Sequence, residues 1–228
     1  MNGIIDIIIS ASTWVLPVLM AVTLHEAAHG FAAKLFGDDT AQRAGRLSLN
    51  PIRHIDPVGT VLIPGLLLLT GAPFLFGYAK PVPVAFHRLH PQRLGVIGVA
   101  VAGPATNVAL AIVSILLLVG LPSLSPAVND WLATTLQQSI WLNCILAVFN
   151  MLPIPPLDGG RVLTAISPMP IARVLARMEK TGMILLIALI FLLPYVTGLL
   201  GVNLPIFHWL VIEPASALVD FLAGIFAR

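Results

Sequence analysis

The stretch His25-Glu26-Ala27-Ala28-His29-Gly30 lies inside an apolar run that begins near Trp14 and ends at Phe36. A run of that length predicts a helix. Residues four apart on a helix share a face, so His25 and His29 can turn both imidazoles toward one metal ion. Glu26 follows His25 directly, near such an ion without being one of its ligands. The pattern H-E-x-x-H thus offers two zinc ligands and a general base for a water on the metal. The plainer alternative is a pair of core histidines beside a stray acid. The chain has only three glutamates and six histidines, which weighs against chance assembly of this spacing. A carboxylate in apolar surroundings is also costly and marks function.

Outward from this stretch, composition sets the class. The 228 residues are 58% hydrophobic and 10% charged, against about 25% charged in soluble domains. The sequence predicts an all-α polytopic membrane protein with about five to six transmembrane helices and a re-entrant or extended segment on the cytoplasmic side. It reads as a single membrane-embedded domain over 1–228, with a core at about 14–161 and flanking helices at about 181–226. Cys144 is the only cysteine, so no internal disulfide forms, and its expected role is that of a small buried apolar residue. A net charge of +2 is too small to suggest nucleic acid. Met1-Asn2-Gly3-Ile4 carries no basic residue and does not read as a cleaved signal peptide.

The twelve Lys and Arg fall in patches. None precedes Lys34, none lies between Arg93 and Arg161, and none lies between Lys180 and Arg228. Basic residues flank spanning helices on the cytoplasmic side. Segments 37–56, 77–93 and 153–180 are therefore expected inside a cell membrane, with the N-terminus and the loop at 121–130 outside.

Along the chain, residues 4–36 predict a first span that Pro17 kinks or divides and that Gly37-Asp38-Asp39 terminates. If Trp14 marks the outer interface, His25 lies about 16 Å deeper. Residues 57–76 are apolar but broken by Pro64-Gly65 and Gly71-Ala72-Pro73, with basic flanks on both sides. This predicts a re-entrant or half-buried hairpin rather than a full crossing. In Gly77–Val84 the two prolines, Pro81 and Pro83, exclude a helix and a central strand. An extended edge fits, in which Lys80 and Val82 keep N–H groups able to pair with an unwound substrate backbone. A rigid connector is the alternative. His87 and His90 have no acid or cysteine beside them and read as a surface pair. Spans are expected at 95–119, 131–149, 181–202 and 205–226, with a short interfacial helix at 170–180. Asn107, within Gly103-Pro104-Ala105-Thr106-Asn107, needs a polar partner between helices. After Pro153-Ile154-Pro155-Pro156, Asp158 is a lone carboxylate beside Gly159-Gly160. It is either a turn residue or the third protein ligand that a two-histidine zinc site requires.

These three pieces in order resemble an intramembrane zinc metalloprotease of the site-2 protease family. They are His25–His29, Gly103–Asn107, and Asn150-x-x-Pro153 through Leu157-Asp158-Gly159. Gly77–Val84 resembles a stretch of the small bacterial and archaeal members, and no PDZ or CBS insert is visible. The resemblance implies one zinc ion held by His25, His29 and Asp158, with Glu26 as the base. It makes Asn107 and Asn150 transition-state or substrate contacts. The implied substrate is a single-pass membrane protein or a signal-peptide remnant within the lipid bilayer. Other classes to weigh are a metal transporter, which would need no Glu26, and a catalytically silent membrane scaffold.

Overall fold

The computed structural model describes residues 2–54, 56–62, 66, 80–122 and 124–227. The first helix, α1 (Asn2–Leu35), runs through Pro17 without a break. It ends where the sequence predicts: Gly37 adopts φ 95° and the Asp38 N–H reaches back to the Ala33 carbonyl at 2.9 Å. Glycine tolerates that left-handed turn, and the turn covers carbonyls the helix would leave open. A short α2 (Thr40–Arg43) follows. Next comes a 3₁₀ turn (Pro51–Arg53) in which the Asn50 side chain accepts from the Ile52 N–H at 3.0 Å. Then α3 (Gln92–Val119), α4 (Pro126–Asn150), α5 (Asp158–Ile166), α6 (Met169–Ile187), α7 (Leu193–Leu199) and α8 (Glu213–Phe226) complete the chain. Among the described residues, five stretches are long and apolar enough to cross a membrane: Ile8–Leu35, Gln92–Val119, Pro126–Asn150, Thr181–Leu199 and His208–Phe226. The all-α multi-pass architecture is as expected.

Two local expectations meet the structure differently. The helix expected at 170–180 is not separate. α6 continues through a π-helical turn (Ala188–Leu192) into α7, and the turn falls just before Pro194, whose missing N–H it accommodates. Of the hairpin expected at 57–76, the described part is a helical turn over Pro57–Leu62; most of the remainder, like Gly77–Ala79, lies outside the described residues. Residues 81–85 are irregular, and no strand occurs among the described residues.

Helices α1, α3 and α4 pack on one another, α5 against α3, and α8 against α4. Their order follows from small residues. On α3 the buried face carries Gly95, Val99, Gly103, Asn107, Ala111 and Ser114, flanked by Ala100, Pro104 and Ile115, so that one helix face, most of it small residues, is turned inward. Lipid offers no hydrophobic drive between helices, so small side chains and polar bonds carry the contact. Ser114 bonds Ser139 at 2.8 Å between α3 and α4, and Trp131 Nε1 donates to Ser12 between α4 and α1 at 2.8 Å. Cys144 is buried in the apolar cluster of α3, α4 and α8 with Ile115, Ile140 and Leu222. Large apolar side chains such as Leu117, Ile184 and Phe221 face outward.

The end of α1 is tied to the segment before α3. Asp38 is fully buried. Its Oδ1 accepts from Thr40 N–H at 3.1 Å and Thr40 Oγ1 at 2.5 Å, and its Oδ2 from Ala85 N–H at 2.6 Å. Burial alone would raise its pKa, but these donors and the nearby Arg88 hold it below the ordinary carboxylate value. The exposed Asp39–Arg43 pair beside it, at 2.6 Å, adds little by comparison. Asp38→Ala should cost about 2–4 kcal/mol, because it removes charged hydrogen bonds and strands the Ala85 N–H. Thermal unfolding in detergent reads this. A group whose folded pKa is lowered stabilises above its unfolded pKa and stops doing so as pH falls through the folded value. The gap between parent and Asp38→Ala should therefore be full at neutral pH and close only as pH drops below about 4.

Candidate metal centre

His25 and His29 stand one turn apart on the buried face of α1, with ring centroids 4.6 Å apart and the planes near perpendicular. Each ring is fixed through Nδ1. His25 Nδ1 lies 2.6 Å from Asn107 Oδ1, and His29 Nδ1 lies 2.7 Å from the Val99 carbonyl. A carbonyl can only accept, so His29 carries its proton on Nδ1. Asn107 is oriented by its own amide, which donates to Asn143 Oδ1 at 2.8 Å and to the Ala21 carbonyl at 3.4 Å. Its oxygen therefore faces His25 and accepts in the same way. Both Nε2 atoms are left with free lone pairs, 3.0 Å apart.

The third group comes from α5. Pro153–Pro156 end α4 and fold the chain back over the first turn of α5. A Cβ at Gly160 would come within 2.5 Å of the Ile154 carbonyl carbon and 2.7 Å of Pro155 Cα, so this reversal needs a glycine there. Asp158, the first residue of α5, is 4% exposed. Its Oδ2 lies 3.4 Å from His25 Nε2 and 3.3 Å from His29 Nε2. Arg161, one turn on, approaches the other oxygen at 3.6 Å. It also approaches Glu179 on α6 at 3.6 Å and lies 5.0 Å above the Phe86 ring.

Three buried electron-pair donors thus converge, and among the described residues His25, His29 and Asp158 form the group able to hold a metal ion. Zinc bonds of about 2.0–2.1 Å in a tetrahedron place ligand atoms about 3.3 Å apart, which matches the observed triangle. Two imidazole lone pairs facing each other repel unless a cation lies between them. The space is kept by Gly103, where a Cβ would stand 2.6 Å from Nε2 of both histidines. The residues present fit zinc.

The other residues singled out in the sequence fall in different places. Glu26 is half-buried and its Oε2 accepts from the Val82 N–H at 2.8 Å. Asn107 is fully buried, and both ends of its amide bond inside the protein, the oxygen to His25 and the nitrogen to Asn143 and the Ala21 carbonyl. Asn150 bonds the Leu146 carbonyl of its own helix at 3.0 Å. The Lys80 side chain is exposed, and its N–H goes to the His54 carbonyl at 2.9 Å. His87 and His90 are exposed and join no metal-binding group among the described residues. Sequence reasoning gave no role to Asn143, Arg161 or the Val99 carbonyl. Two lone amides in apolar helices could have suggested the Asn107–Asn143 pair; a backbone carbonyl leaves no side-chain signal.

The profile of peptidase family M50 matches residues 119–193, a stretch that includes Asp158. Relatives that bear the name "Putative zinc metalloprotease" include the following. YwhC of Bacillus subtilis is 40% identical over 189 residues, 81% of this chain and 80% of its own. Rip2 of Mycobacterium tuberculosis is 32% identical over 180 residues, 79% of this chain and 66% of its own. MJ0611 of Methanocaldococcus jannaschii is 42% identical over 101 residues, 43% of this chain and 47% of its own. No solved structure matches the chain. Identity of this extent with YwhC, joined to a His-His-Asp donor group among membrane-length helices, places the chain in peptidase family M50, the site-2 proteases, as an intramembrane zinc metallopeptidase.

Proposed function

We propose that His25, His29 and Asp158 hold the zinc, that Glu26 is the general base, and that the substrate is a single-pass membrane segment or a signal-peptide remnant. The convergence of two Nε2 atoms and one Oδ2 atom within 3.4 Å carries this reading. Zinc at that point supplies Lewis acidity toward a water and toward the scissile carbonyl. Glu26 accepts the water's proton and returns it to the leaving nitrogen. Asn107 and the Val99 carbonyl hold both imidazoles in the tautomer that presents Nε2. Gly103 keeps other side chains out. A transporter would not need a carboxylate poised beside its first histidine, and a silent scaffold would not need the donors to converge.

The spans support a membrane arrangement with the basic loops in the cytoplasm. The chain direction alternates through α1, α3, α4, α6–α7 and α8. If 57–76 does not cross, every basic patch then falls on one side: Lys34 at the end of α1, Arg88 and Arg93 before and at the start of α3, Arg161 on α5, and Arg173, Arg177 and Lys180 at the start of α6. This is the asymmetry that orients proteins of the inner or plasma membrane.

Three outcomes follow. Glu26→Gln should keep zinc, by metal analysis, and lower kcat by about a hundredfold or more, because the ligands remain while proton acceptance is lost. Full activity in that variant would remove Glu26 from the mechanism. Asp158→Ala should weaken zinc affinity by about a hundredfold or more in chelator competition, since a coordination bond goes. Parental affinity would make Asp158 a turn residue. Single cysteines at Gly45, Arg88 and Ala165 in a Cys144→Ser background should label from the cytoplasm, and one at Ser125 from outside. Labelling of positions 45 and 88 from opposite sides would mean that 57–76 crosses fully.

A further inference from the structure

Glu26 is held by a part of the chain that the H-E-x-x-H motif does not contain. Its Oε2 takes the Val82 N–H at 2.8 Å. Val82 is 8% exposed and is fixed from both sides. On one side the Lys80 N–H bonds the His54 carbonyl at 2.9 Å, and the Lys80 carbonyl accepts from Arg46 at 3.2 Å. On the other, the Ala85 N–H is held by the buried Asp38 at 2.6 Å. Pro81 and Pro83 flank Val82 and restrict φ on either side of it. Gly30, one turn beyond Glu26 on α1, is the floor on which Val82 rests. A Cβ there would meet Val82 Cγ1 and Leu47 Cδ1 at 3.0 Å each.

Building on the reading of Glu26 as the base, we infer that the Val82 amide aims it. The tie to Oε2 leaves Oε1 to face the reacting water and removes the rotamer freedom that a long acid side chain otherwise keeps. Val82 and Gly30 are then positioning residues for the base. The same geometry removes Lys80 and Val82 as an edge for substrate pairing. The donors of Lys80 and Val82 are both spent inside the protein, and Pro81 and Pro83 have none.

The test uses the full-length, zinc-loaded protein in detergent, with amide exchange followed by NMR. In Glu26→Ala the Val82 amide should exchange about tenfold faster or more than in the parent, the loss expected for one hydrogen bond to a charged acceptor, while Lys80 and Ala85 keep their protection. Equal exchange at Val82 in the two proteins overturns the inference. In Val82→Pro, zinc content should hold while kcat falls at unchanged KM, and it should fall alike for a short soluble peptide and for a membrane-embedded substrate. A loss confined to the membrane substrate, or one expressed in KM, overturns the inference in favour of substrate pairing. If Val82→Pro fails to fold or to hold zinc, the exchange comparison, made on the native backbone, decides alone. Full activity of Glu26→Gln would refute the base assignment while leaving the exchange result readable, so the two failures are separable.

Discussion

The 2.6 Å bond between His25 Nδ1 and Asn107 Oδ1 is the contact on which the metal centre depends. It joins α1 to α3, and Asn107 passes the connection to Asn143 on α4. One chain of side chains thus fixes the three core helices at the level of the centre and sets which nitrogen of His25 is free. In apolar surroundings an unpaired amide or imidazole N–H is expensive, so each member holds the next in one orientation. A fully satisfied network of this kind specifies one arrangement of helices, and a broken one would leave several polar groups without partners.

The glycines do two jobs at once. Close helix approach in lipid favours residues without side chains, and Gly103 provides it where α3 meets α1. The absence of its Cβ also leaves the volume between the two Nε2 atoms open. Gly182 plays the packing part alone. A Cβ there would lie 2.7 Å from the Pro155 carbonyl carbon, so α6 can pass against the loop that delivers Asp158. The proline-rich loop and the helix beyond it are therefore one packed unit.

What the sequence made legible was whatever is local or countable. The i, i+4 spacing of His25 and His29 puts both on one face whatever the tertiary structure. The ligand count pointed to Asp158, because few other acids lie at a comparable place in the chain. Span lengths followed from hydropathy, and the end of α1 from Gly37. What stayed hidden depends on crossings. Asn107 was readable as a polar residue needing a partner, but not as the residue that seats His25. The hold on His29 comes from a main-chain carbonyl that any residue at 99 would provide. The basic face at 173–180 suggested a separate surface helix because charge and hydropathy change there; the backbone continues regardless, since nothing in 169–187 after Pro170 breaks a helix. The donor from Val82 to Glu26 was visible only as an N–H that Pro81 and Pro83 lack.

The charge distribution explains why the third donor of the group comes from a helix start and not from the middle of a span. An imidazole that presents a lone pair to a metal costs little to bury once its Nδ1 group is paired. A carboxylate in mid-helix would have to be buried ionised with no nearby donor, which is the costliest choice. At the first residue of α5, Asp158 sits at the positive end of the helix dipole, with Arg161 one turn away at 3.6 Å. Both favour the ionised form that a metal requires. Arg161 in turn leans on Glu179 and Phe86, so its charge is itself balanced toward the edge of the core. The one anionic donor is thus placed where the backbone already supplies part of the opposing charge, and the two donors on the spanning helix are imidazoles that need none.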